Sequence, residues 1–416
     1  MTMPPPSAHS RAPHGSPIDT DGPRIPLFSN EFAADPHSAY REMRERYGSL
    51  APVELAPGVP ATLVLGYHTA VRILNDPDHF PADPRTWQQD IPADCPVLPM
   101  MQWRPNAMRN AGAEHARYRQ ANIAGLAKVD LYRLHDTIAQ LATPLINAFC
   151  ADGSADILRQ YAFPLAFAAL NAMLGCPAEI AQRALAGMAV IFEGADAERG
   201  NTMLTDSLAE LTLLKRTDPG DDITTGMLGH SAGLNDTEMV HQLATLYGAG
   251  IEPQLNLIVN TLLLILTDER FGGSVLGGSL STRDALDEVL FNDPPMANFC
   301  LSFPKQPILI DDVWLPAHQP VVISIAACNT DPAIRAERYA GNRAHLAFGG
   351  GGPHACPANS LAYMIAQDAI DQLLDALPEL RLAVPTDALT WRPGPFHRAL
   401  TALPVAFPQS PPLPLP

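Results

Sequence analysis

Residues 345–363 read HLAFGGGGPHACPANSLAY. Four apolar-rich residues predict a short strand, a glycine run predicts a loop, and the stretch from Asn359 has the apolar spacing of a helix. Cys356 stands where that loop turns into the helix. Gly349 to Gly352 carry no side chains, so a large flat ligand could lie against bare backbone on the approach to the sulfur. Backbone amides at a helix start would favour thiolate over thiol.

The other five cysteines, at 95, 150, 176, 300 and 328, show no paired spacing, which excludes a zinc framework or a disulfide scaffold. Cys150, Cys176, Cys300 and Cys328 sit in apolar contexts such as LINAFC and ISIAAC and read as buried, inert thiols. With 416 residues, 47% hydrophobic and 17% charged, the chain can bury a large core. A net charge of −17 argues against a general nucleic-acid binder. Against that background Arg104, Arg109, Arg117 and Arg119 form a local basic patch with a single Glu114. It suits an acidic partner or the anionic groups of a cofactor, or is a solvated helix face. No apolar run is read as a membrane span and no signal core opens the chain, so the expected location is cytoplasmic.

Helical periodicity dominates. Leu134, Ile138, Leu141, Leu145 and Phe149 form one stripe, Ile157 to Leu174 a second apolar helix closed by Gly175, and Leu361, Ile365, Ile370, Leu373 and Leu377 another. Thr237 to Thr267 is almost wholly apolar after Leu243, with Asn235 and Asp236 as candidate caps, which suits a helix in the middle of a large fold. Strands are expected at Ala61 to Leu65, Ile308 to Ile310 and Val321 to Ala326. The proline-rich stretches 1–24 and 409–416 read as loose tails flanking a body over 25–408.

Two further stretches carry chemistry. In GAEHARYR, His115 and Arg119 are four residues apart and share a helix face, so both can address one anion. In LYGAGIEPQ, Ala249 and Gly250 lack bulk, and Pro253 removes the N–H that the Ala249 carbonyl would accept. The helix should kink there. The freed carbonyl and Glu252 could then hold water; otherwise Glu252 is a solvated or capped acid and Pro253 only shapes a cavity.

Taken together, these stretches resemble the cytochrome P450 enzymes, over about residues 25 to 408. The resemblance implies a mainly α fold with small β-sheets, and makes Cys356 the metal ligand of haem b through its thiolate. It assigns His115, Arg119 and His354 to the haem propionates, and Ala249, Gly250, Phe348 and Gly352 to the cofactor's surroundings. Cys356, Glu252 and Pro253 become the catalytic positions, with Pro253 where the family has threonine. Glu288 holds the acid of the family's E-x-x-R pair, but its arginine is Phe291; Arg335, Arg338 or Arg343 is then expected to pair with Glu288. Ser302 occupies the position of a second propionate arginine, and the glycine loop is one residue long.

The implied function is monooxygenation of a small, mainly apolar natural product in specialised metabolism. Oxidative coupling of aromatic or cyclic-peptide substrates, or haem binding with little catalysis, are alternatives. Electrons would come from NAD(P)H through a ferredoxin reductase and a ferredoxin docked on the arginine patch. Substrate contacts are expected from 85–108, 180–205, Ile251, 296–301 and the turn at Phe396. Met100, Met101, Trp103, Met188, Ile191 and Phe192 are the expected apolar lining.

Overall fold

A computed structural model describes residues 24–193, 197–271, 280–334 and 342–415. The expected N-terminal tail lies outside these residues, apart from Arg24, as do Arg335 and Arg338 and the side chains of Ile191 and Phe192.

The first third of the chain lays down β1 (Ile25–Pro26), α1 (Asn30–Ala34), α2 (Pro36–Tyr47), β2 (Leu50–Ala56), β3 (Val59–Val64), α3 (Tyr67–Leu74), α4 (Leu98–Met101) and α5 (Gly112–Leu126). Helices dominate next: α6 (Leu131–Asn147), the short β4 (Ser154–Asp156), α7 (Phe163–Leu174), α8 (Ala178–Glu193), α9 (Ala197–Thr217), α10 (Ile223–Leu228) and α11 (Asp236–Thr267). The remainder supplies α12 (Thr282–Asn292), β5 (Asn298–Ser302), β6 (Ile308–Ile310), β7 (Val313–Leu315), β8 (Val321–Ser324), α13 (Ile325–Asn329), α14 (Asn359–Ala376), β9 (Arg381–Leu382) and β10 (Pro404–Ala406).

The strands form three small sheets, ordered β1-β2-β3-β8-β5, β4-β10-β9 and β6-β7. In the largest, β8 runs parallel to β3 and antiparallel to β5. Between Phe299 and Ser302 the register slips, and Cys300 takes φ +54°. That bulge turns the strand locally, as bulges beside functional sites do.

Helices α6, α7, α11, α12 and α14 share the main core, while the large sheet backs a second apolar cluster. Helix α11 starts on a capping box between Asn235 and Glu238 and stays helical through Pro253. Its core-facing surface is not purely apolar. Gln254 donates to the Ala362 carbonyl (3.1 Å), and the Asn260 amide donates to the carbonyls of Arg398 (3.0 Å) and Asp293 (3.3 Å). These bonds fix α11 against α14 and the C-terminal segment.

Two expectations are corrected. Contrary to the sequence reading, α11 is long and apolar enough to cross a membrane, yet more than half of its most apolar window is buried inside the protein. The closing segment is also tied down: Ser410 N–H donates to Cys150 O (3.0 Å), and Asn147 and Leu413 exchange two hydrogen bonds (2.7 and 2.9 Å).

Arg398 joins distant parts of the chain. It donates to Asp293 (3.2 Å) and to the Ala33 carbonyl (2.6 Å) and lies 3.4 Å from the centroid of the Trp391 ring. Arg398→Met should lower stability by about 2 kcal/mol, because it takes the donor from the Ala33 carbonyl and leaves Asp293 with His37 alone. Urea unfolding monitored by circular dichroism measures that loss.

Candidate functional site

The cysteine loop owes its shape to its glycines. Residues 345–348 form no strand, contrary to expectation. They are held instead by the Leu346 N–H donating to Asn329 Oδ1 (2.7 Å) and by burial of Leu346 beside Leu74. Gly349, Gly350 and Gly351 follow with φ of +84°, +60° and +81°. Three left-handed residues in a row are accessible at low cost only to glycine. A Cβ on Gly352 would sit 2.3 Å from the Leu74 carbonyl oxygen at the end of α3, and one on Gly350 would meet Leu74 and Leu346 side chains at 2.9 and 2.8 Å. So Gly350 and Gly352 dock the loop on α3, and only Gly351 faces open space.

The loop closes where the Cys356 N–H donates to the Phe348 carbonyl (2.7 Å). Cys356 is half-buried, three residues ahead of α14. Burial pushes its thiol up, against the opposing pull of the Ala358 amide and the Arg119 charge, so the expected lowering by backbone amides does not prevail. The Phe348 ring packs on His345 and Tyr363, with centroids 5.9 and 5.8 Å apart.

His115 and Arg119 do share one face of α5, and both reach this loop. His115 Nε2–H donates to the Pro353 carbonyl (3.1 Å), leaving Nδ1 buried without a partner. Its ring lies 3.9 Å from that of His354. Arg119 donates to the Ala355 carbonyl. Burial pushes His354 down to about 3, helped by His115, Arg119 and Arg109, so both imidazoles are neutral at pH 7.

The other half of the expected haem surface is on α11, with one change. Gly250 makes room for Leu170 of α7, 3.3 Å from an ideal Cβ. Gly248 and Ala249 are the residues left bare: both are exposed in the middle of a core helix, and a Cβ on Gly248 would meet nothing within 4 Å. Glu252 is paired with Arg392, a partner that no motif in the sequence singles out.

The segment before α5 covers the same helix. Asn106 donates to Thr245 Oγ1 (2.7 Å), and the Ala107 N–H to Gln242 Oε1 (3.4 Å). Phe299 and Phe396 meet edge to face at 6.1 Å, bringing 296–301 and the 396 turn together as expected. Of the expected lining, Met101 and Met188 are buried core residues, while Met100 and Trp103 are partly exposed. The four arginines of the basic patch are dispersed over different surroundings. Arg109 is buried, Arg117 pairs with Glu238, Arg119 faces the loop, and Arg104 is half-buried.

The E-x-x-R region is rebuilt. Glu288 pairs with Arg270 (2.6 Å), on the turn after α11 rather than on the segment before the loop. Phe291 is buried and meets His345 edge-on at 5.4 Å. Beside it runs a hydrogen-bond chain: His345 Nδ1 accepts from the Ala347 amide (3.3 Å), so Nε2–H donates to Tyr363 (3.2 Å), whose hydroxyl donates to Asp287 (2.8 Å). Asp287 is 1% exposed. The chain ties α12, α14 and the start of the cysteine loop together. In the sequence its members are three unremarked polar residues.

No family model matches this sequence. Cytochrome P450 107B1 of Saccharopolyspora erythraea is 26% identical over 398 residues, covering 92% of this chain and 98% of that protein. The vitamin D(3) 25-hydroxylase of Pseudonocardia autotrophica is 28% identical over 394 residues, covering 92% and 96%. The solved structure of CYP154C4 from Streptomyces sp. W2061 superposes with a TM-score of 0.82 at 27% identity, covering 92% of this chain and 98% of that one. With a half-buried cysteine at the head of α14 and the His115/Arg119 helix closing over its loop, the chain belongs to the cytochrome P450 family, in its bacterial, actinomycete form. It is an oxidoreductase.

Haem suits the donor set. The site offers a half-buried thiol, a buried Nδ1 lacking a partner, arginines facing inward and a bare stretch of α11.

Two outcomes test this geometry. Gly352→Ala should cost on the order of 2–4 kcal/mol in thermal or urea unfolding, since its Cβ collides with backbone, whereas Gly351→Ala should lose only about 1 kcal/mol to its positive φ. His345 is held down to about 4, chiefly by burial with Asp287 opposing. The unfolded chain thus binds a proton near pH 6.5 that the native state refuses, so stability falls as pH drops from about 6.5 toward 4. His345→Gln should flatten that limb by up to roughly 3 kcal/mol in pH-dependent unfolding.

Proposed function

We propose that the chain is a haem-thiolate monooxygenase that hydroxylates a small natural product, with Cys356 as the axial ligand. The observation that carries this reading is the convergence of His115 and Arg119 on the carbonyls of Pro353 and Ala355, in the turn that leads directly into Cys356. Relatives named as hydroxylases and monooxygenases, including the monooxygenase PikC of Streptomyces venezuelae, favour oxygen insertion over coupling or inert binding.

When bound, haem supplies the activation of dioxygen, which a protein side chain cannot provide. This chain's residues do the rest. Cys356 would hold the iron through its thiolate sulfur, and its backbone bond to Phe348 fixes the loop that carries it. His115, Arg119 and His354 would hold the propionates by N–H donation, the unpartnered His115 Nδ1 joining in once it carries a proton. Gly248 and Ala249 leave α11 bare for the macrocycle face.

Proton delivery depends on Pro253 and Glu252. Pro253 leaves the Ala249 carbonyl without its helical donor, so that oxygen can hold a water in the place of a threonine hydroxyl. Glu252 is held by Arg392 and exchanges protons only when that pair loosens. NAD(P)H, a ferredoxin reductase and a ferredoxin supply the electrons in a cytoplasmic setting. The ferredoxin docks away from Arg109 and Arg119, which face inward.

The reduced, carbon-monoxide-bound spectrum of the wild type should be of the thiolate type, and Cys356→Ala should abolish it; retention of that spectrum would sink the assignment. Labelled dioxygen should appear in the product. Glu252→Gln should reduce product formed per electron pair several-fold if the acid carries protons, measured against NAD(P)H consumed.

A further inference from the structure

Arg109 is the one arginine or lysine that is buried among the described residues, at 4% exposure. Its guanidinium donates to the carbonyls of Met100 (2.5 Å) and Met108 (3.4 Å) and stands 5.6 Å from the Phe299 ring. Neither carbonyl carries a charge. Its titratable neighbours are the Cys300 thiol, which burial keeps protonated, and another cation, Arg104, and burial drives Arg109 down to about 10.

The same shortage of anions extends across the cluster. His354 is surrounded by His115, Arg119 and Arg109, and the titratable group acting on Arg119 is the Cys356 thiol, which burial pushes up. No carboxylate stands among the charged neighbours of Arg104, Arg109 or Arg119 in the described residues. Carboxylates are abundant elsewhere in a chain of net charge −17. Keeping a guanidinium dry without an anion is costly, as it is when one partner of a buried ion pair is removed. A fold retains such a cost where a ligand removes it.

Position favours a ligand over a structural clip. Cys300, beside Arg109, stands on the β5 bulge at φ +54°, and the next strand residue but one, Ser302, has a buried Oγ with no partner. Arg109 thus faces the strand whose expected cation is missing. We infer that Arg109 is the binding group for a carboxylate that enters between β5 and the cysteine loop. The carboxylate is either a haem propionate, taking over from the arginine absent at 302, or an acid group on the substrate. In either case the inference rests on the haem-thiolate reading.

The test uses Arg109→Met, which removes the charge while keeping much of the volume, with Arg109→Lys as the conservative control. A thiolate-type carbon-monoxide spectrum in the wild type first secures the haem reading independently. Haem transfer from each holoenzyme to excess apomyoglobin, and spin-state titration with a medium-chain fatty acid against its methyl ester, then separate the two sources. Haem leaving Arg109→Met at least tenfold faster, with Lys intermediate, assigns the propionate. Loss of an acid-over-ester preference of tenfold or more, with haem transfer unchanged, assigns the substrate. Either result should accompany a raised unfolding temperature of the haem-free full-length Arg109→Met chain, since an unpaired buried charge is gone. Unchanged haem transfer together with an unchanged acid-to-ester ratio overturns the inference, and a lowered unfolding temperature would then mark Arg109 as a clip for Met100.

Discussion

A cysteine becomes a dependable ligand only if its backbone has nowhere else to go, and here that constraint is the closure of a glycine loop against the end of α3. Gly352 abuts the Leu74 carbonyl, Gly350 fits between Leu74 and Leu346, and the Cys356 amide is spent on Phe348. Once those contacts are made, the sulfur's height and direction are set. Every other part of the site is arranged around it, from α5 closing over Pro353 and Ala355 to α14 departing three residues later.

What the sequence conveyed and what it hid divide along physical lines. Long-period signals came through: the apolar stripes of α6, α11 and α14, the Asn235 cap and the αL Gly175 depend on local spacing, and each stands as read. So did the His115/Arg119 pair, since four residues on a helix fix a shared face. Hidden were the features made by distant residues meeting. Arg270 beside Glu288, Arg392 beside Glu252, and the His345–Tyr363–Asp287 chain join positions 18 to 140 residues apart, and nothing in local spacing marks them. The glycine run was visible, but its docking on α3 was not. Absence of a Cβ serves backbone docking as readily as ligand approach, and only the Leu74 carbonyl distinguishes the two. The same ambiguity moved the bare patch of α11 from Gly250 to Gly248.

The electrostatics of the interior run opposite to the surface average. An acidic chain collects its inward arginines and neutral imidazoles around one thiol, in a region where low polarisability magnifies each charge. At Phe291, where the resemblance leads one to expect an arginine, α12 is joined to the loop by neutral donors and one carboxylate, through Tyr363, with Arg283 of α12 over the Tyr363 ring.

Helix α11 does two jobs along a single axis. Its bare residues 248 and 249 look onto the site, while the side chains of 252, 254 and 260 are latched to Arg392, to the Ala362 carbonyl and to the carbonyls flanking the C-terminal segment. A rod latched at three points on one side of its midpoint cannot bend locally to suit what presses on it. It rotates or slides as a body, and a push at 248 arrives at the 390–400 turn and at α14 in the same stroke. The space above the cysteine and the 390–400 turn therefore share one support, and what strains one is felt at the other.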